Sequence, residues 1–103
     1  MLNRLNFGTQ SSVTATHGTS AVATMAAVSG VTHYAVNVSV SSDKAGSILL
    51  IKDGTTVIWQ EQVGAGFCNL TFPAGLKASL GNLLSAEIDG TSACKANLCV
   101  ISI

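Results

Sequence analysis

Between residues 31 and 103, apolar residues recur at every second position in short runs that glycine-bearing turns interrupt. Period-two alternation is the pattern of a strand with one face buried, and it is incompatible with a helical stripe. The clearest case is Tyr34, Val36, Val38 and Val40, which alternate with His33, Ala35, Asn37 and Ser39. Ile48, Leu49, Leu50 and Ile51 form a run apolar on both sides, as in a strand covered on both faces. Asp53-Gly54 follows, joining that run to residues 55–62, and reads as a two-residue hairpin of type I′. On the return strand Val57 and Trp59 share one face, with Trp59 in the core. Gly64 and Gly66 mark a loop, Phe67 to Phe72 a strand, and Pro73-Ala74-Gly75 its break. Residues 83–89 and 94–103 give the last two strands.

The expected fold is all-β: a jelly-roll-like antiparallel β-sandwich of about eight strands, occupying residues 31–103. Its expected core is Tyr34, Val36, Val38, Val40, Leu50, Val57, Leu70, Phe72, Leu84 and Ile88. Residues 1–30, uncharged from Leu5 onward and rich in Ser, Thr and Ala, are read as an N-terminal arm or as the first strands.

Charge narrows the function. Five basic and five acidic residues leave a net charge of zero, and only 10% of the chain is charged. An electrostatic nucleic-acid binder needs a basic stripe, which is missing, and no apolar run is long enough for a membrane span. A weakly charged surface is poorly protected against association, so partners are expected to cover part of it. The alternating side chains of residues 48–51 and 98–103 cannot all point into one core, so some of them are expected against another subunit or under the N-terminal arm. The expected partner interface comprises Phe7, Val13, Val22, Ile48 and Ile101.

No catalytic motif is present. Asp43, Asp53 and Asp89 fall at turns, where aspartate bonds its own backbone. Glu61 and Glu87 fall in strands, and His17 and His33 lack the Cys or carboxylate spacing of a metal site. The reading is a non-enzyme that needs no cofactor and no metal. Cys68, Cys94 and Cys99 are an odd number, and the spacing of the last two sends them to opposite faces of a strand. They are read as small buried hydrophobes of a reducing cytosol, in keeping with the lack of an apolar leader after Arg4.

Residues 31–103 resemble the small β-sandwich proteins that decorate the virions of tailed bacteriophages. The resemblance is carried by Asp53-Gly54-Thr55-Thr56, Gly64-Ala65-Gly66, Phe72-Pro73 and Gly81-Asn82-Leu83-Leu84. It implies a homotrimeric head decoration (cement) protein, made in the host cytoplasm, that binds between major capsid protein subunits at the virion surface. The same kind of fold serves tail and fibre modules. In that alternative an exposed aromatic cleft near Trp59 or Tyr34 would bind a host-surface glycan or receptor.

Overall fold

A computed structural model describes residues 8–103, apart from the side chain of His17, and Phe7 lies outside the described residues. Eight strands follow one another: β1 (Thr9–His17), β2 (Ser20–Met25), β3 (His33–Ser42), β4 (Ile48–Asp53), β5 (Thr56–Gln62), β6 (Gly66–Lys77), β7 (Leu84–Asp89) and β8 (Cys94–Ser102). They form two antiparallel four-stranded sheets, ordered β1-β8-β3-β6 and β2-β7-β4-β5. The pairs β4 with β5, β3 with β6, β2 with β7 and β1 with β8 are nested around the β4–β5 turn. This is the jelly roll: one long hairpin, rolled so that its successive pairs alternate between two layers. Residues 9–25 therefore supply the first strand of each sheet, β1 along β8 and β2 along β7.

The turn at the centre of the nest is displaced by one residue from its expected position. Asp53 pairs with Thr56, so the two loop residues are Gly54 and Thr55. Of these two, only Gly54 has positive φ (62°), and no non-glycine residue among those described does. Glycine at the first loop position is the requirement of a type II′ turn, not of type I′. Asp53 thereby keeps an extended backbone, and its carboxylate faces a neighbouring loop.

The core lies between the sheets. Val38, Val40, Leu49, Ile51, Leu84, Ile88, Leu98 and Val100 are fully buried, and Leu70, Phe72 and Val13 pack against them half-buried. Four expected core residues lie elsewhere, and β-bulges explain three of them. Between Ala35 and Asn37 both neighbouring ladders slip, leaving Val36 as the extra residue. One extra residue inverts the faces of everything before it. Tyr34 is consequently paired with Ile101 on the outer side, buried but outside the core cluster, and Val36 is only half-buried. The same inversion carries His33 inward, where it is 2% exposed rather than on the polar face.

The second bulge is at Ile58, between the pairs Ile51–Trp59 and Lys52–Val57. It puts Val57 and Trp59 on opposite faces of β5. Val57 is exposed on the outer face, and Trp59, on the inner side of an edge strand, remains 37% exposed. In β4 the residues that point inward are Leu49 and Ile51, so Leu50 is half-buried on the outer face. β6 continues to Lys77, yet its pairing with β3 skips residues 72–75, and Gly75 takes φ 79°. Pro73 breaks the ladder without ending the strand, as a residue that cannot donate to a neighbour should.

Candidate functional site

His33 is the one buried imidazole among the described side chains, and both of its nitrogens are engaged. Nε2 lies 2.8 Å from the carbonyl of Ala26 and Nδ1 lies 2.6 Å from Ser102 Oγ. A neutral ring that donates from Nε2 and accepts the Ser102 hydroxyl at Nδ1 satisfies every group. His33 therefore ties the β2–β3 connection to the end of β8 and has no free nitrogen for a ligand. Among the described residues no three His, Cys, Asp or Glu side chains are grouped to hold a metal ion.

The turn aspartates bond chiefly to other loops rather than to their own. Asp43 accepts hydrogen bonds from the backbone N–H groups of Thr91, Ser92 and Ala93 and from the Ser92 hydroxyl. Asp53 accepts from the Ser79 hydroxyl and N–H and from the Asn82 amide. Asp89 accepts from Lys44 Nζ at 2.6 Å and from the Ile48 N–H. Each carboxylate thus joins two loops far apart in sequence. The Ser92 hydroxyl first, then the Thr91 N–H, holds Asp43 far below the ordinary carboxylate range. The Ser79 hydroxyl lowers Asp53, and Lys44 lowers Asp89, in each case by stabilising the ionised form.

A cleft of about 610 Å³ lies beside the Asp43 loop, lined by Thr16, Ser42, Asp43, Cys94 and Lys95 among others. Neither of its reactive side chains is poised for chemistry. Both Asp43 oxygens are already occupied by the 91–93 backbone. The Cys94 thiol is buried and its pKa is raised, by burial first and then by Asp43 and Asp89, which opposes formation of a nucleophilic thiolate. Among the described residues Cys68, Cys94 and Cys99 form no disulfide, with Cys94 inward and Cys99 outward on β8.

What the fold exposes is two sheet faces of different character. On the outer face of β2-β7-β4-β5, Val22, Ile48 and Val57 are exposed and Leu50 half-buried. They surround an ion pair of Lys52 Nζ with Glu87 at 3.3 Å. A cleft of about 490 Å³ on this face is lined by Ile48, Leu50, Val57, Gln60 and Glu87 together with Ser20 and Asp89. The outer face of β1-β8-β3-β6 is instead a hydroxyl and amide surface. Its cross-strand bonds run from Thr14 to Asn97 (2.7 Å), from Ser39 to Asn69 (3.0 Å) and from Asn37 to Thr71 (3.2 Å).

The structure separates the residues expected at a partner interface. Val22 and Ile48 share the apolar outer face, with Val57 and Leu50 beside them. Val13 faces inward opposite Leu98 and packs on the core. Ile101 lies half-buried on the other sheet, opposite Gln10 and Tyr34. Tyr34 is too buried to line an aromatic cleft. Trp59 meets Phe72 edge to face at 5.2 Å, bridging the gap between edge strands β5 and β6. Val57 was missed as a surface residue because nothing in the local sequence announces the bulge at Ile58.

No family model matches the chain, and no curated protein matches it. Solved structures do. The C-terminal CBM6 of LamC, a marine laminarinase from Zobellia galactanivorans, aligns at 10% identity and a TM-score of 0.52, over 92% of this chain and 100% of that one. Aeromonas hydrophila PliG, a periplasmic inhibitor of g-type lysozyme, aligns at 11% identity and 0.44, over 95% and 90%. The CBM36-1 domain of a xylanase from the hindgut metagenome of Trinervitermes trinervoides gives 12% identity and 0.42, over 91% and 95%. At these identities the likeness shows a β-sandwich fold and nothing about activity.

Proposed function

We propose that this chain is a non-catalytic assembly module of a virion: a homotrimeric head decoration protein that binds between major capsid protein subunits. The observation that carries the assembly reading is the outer face of β2-β7-β4-β5, where Val22, Ile48, Leu50 and Val57 cluster on one side of one sheet. Apolar side chains gathered on a single face gain from being covered, at roughly 1 kcal/mol for each one removed from water. The capsid partner comes from the sequence resemblance around Asp53-Gly54-Thr55-Thr56 and Gly81-Asn82-Leu83-Leu84. The cross-bonded loops support the same reading, since a protein that resists internal DNA pressure benefits from loops tied to each other by ionised carboxylates.

Separated heads and tails of the phage that encodes the chain test this reading. Purified protein should cosediment with heads and leave tails unlabelled in immunogold micrographs. Label confined to tails or fibres would replace capsid decoration with the tail-module alternative.

A further inference from the structure

The outer face of β1-β8-β3-β6 is laid out in cross-strand rows. One row is Thr16, Lys95, Ser41 and Phe67, and the next is Thr14, Asn97, Ser39 and Asn69. Lys95 and Phe67 stand two strands apart, at roughly 10 Å by the usual strand spacing, with Ser41 between them. A cleft of about 270 Å³ lies at this place, lined by Phe67, Lys95, Asn97, Ser39 and Ser41 with Val40.

Three features of this cleft and of Asn69, beside it in the second row, point to a ligand. The Phe67 ring is 71% exposed, the most exposed large apolar side chain among the described residues. Thr14 occupies the carbonyl oxygen of Asn97, and Ser39 occupies that of Asn69. Both amide NH₂ groups are thereby left as donors. Lys95 makes no ion pair among the described residues, because the two that exist join Lys44 to Asp89 and Lys52 to Glu87.

The distribution of charge is as telling. None of β1, β3, β6 and β8 contains an Asp or Glu, whereas Lys77 and Lys95 both belong to this sheet. Asp43, which lines the neighbouring cleft with Lys95, has its oxygens taken by the 91–93 backbone, and the other carboxylates lie off this sheet, which leaves the face rich in donors. A complementary ligand presents acceptors and a negative group, with a flat apolar side for the Phe67 ring. A pyranose ring bearing a carboxylate or sulfate has that combination: hydroxyl and ring oxygens for Asn97 and Asn69, an anion for Lys95, and a C–H face for Phe67. An extended peptide is a poorer fit, because peptides dock on sheet edges through the main chain and this cleft offers side chains.

We propose that the Phe67–Lys95–Asn97 cleft binds an acidic saccharide. It lies on the sheet opposite the apolar face and does not depend on the assembly reading. The full chain is titrated by calorimetry with tetragalacturonate, a sulfated heparin tetrasaccharide, neutral maltotetraose and oligothymidylate. One or both acidic sugars should bind, the stronger naming carboxylate or sulfate as the group recognised, and added salt should weaken it. Lys95→Gln and Phe67→Ala should each weaken binding roughly tenfold. Lys77→Gln, far along the same face, should bind like wild type, and circular dichroism verifies that all three variants are folded. The proposal is overturned by no acidic-sugar binding at millimolar concentration or by maltotetraose binding as well as the acidic sugars. It is equally overturned by tighter binding of oligothymidylate, by a loss in Lys77→Gln equal to that in Lys95→Gln, or by wild-type affinity in Lys95→Gln and Phe67→Ala.

Discussion

Asp43 and Ser92, 49 residues apart in sequence, are joined by two hydrogen bonds to one carboxylate oxygen, from the serine hydroxyl at 2.6 Å and its N–H at 2.9 Å. With Asp89 reaching back to Lys44 and the Ile48 N–H, the β3–β4 and β7–β8 connections hold each other in both directions. Asp53 does the same for the β4–β5 hairpin and the loop before β7.

Acid should loosen these ties. Asp43, Asp53 and Asp89 all ionise more readily folded than is ordinary for a carboxylate. Their contribution is therefore complete above about pH 4 and lost as pH falls below it, toward the folded-state values. The melting temperature should be flat from neutral pH down to about pH 5 and fall steeply below about pH 4. Asp43→Asn should lower it at neutral pH and flatten the acid limb. An acid limb equal in wild type and variant would remove Asp43 from the account.

Core register is tested by two leucines. Leu98 is fully buried between the sheets, so Leu98→Ala should cost about 2–5 kcal/mol in urea unfolding. Leu50, on the outer face of β4, should cost no more than about 1 kcal/mol in the monomer when replaced by Ala. Reversed values would mean that β4 packs with the opposite face inward.

Much of this fold is legible in the sequence, and the failures share a cause. Period-two alternation identifies the strands, and Asp53-Gly54 marks the turn around which all four nested pairs are arranged. The alternation of Val38 and Val40 reports their burial correctly because no bulge intervenes between them. Tyr34, His33 and Val57 are misread because a bulge adds one residue and inverts a face without changing the local composition. The roles of Asp43, Asp53 and Asp89 are illegible for another reason: their partners lie 26 to 50 residues away, and only the rolled topology brings them together. The apolar outer face is half legible. Val22 and Ile48 are readable as surplus apolar residues, but which sheet they share is decided by strand order.

Thiol reactivity should follow burial. Cys94 is 3% exposed and its pKa is raised, so a smaller fraction of it is thiolate at any given pH. In the native protein Cys68 and Cys99 should react with a chromogenic disulfide well before Cys94, and all three should react once urea unfolds the chain. Early modification of Cys94, located by mass spectrometry, would contradict its place in the core.

Light scattering on the wild-type chain and on Ile48→Asp and Val57→Asp tests most directly whether the outer face of β2-β7-β4-β5 carries assembly. Both side chains are exposed in the monomer, so neither substitution should disturb the fold, which circular dichroism verifies. The account predicts a wild-type mass three times the 10.4 kDa of the chain and a monomer for each variant. A wild-type monomer at high micromolar concentration, or variants that remain trimeric, would contradict it.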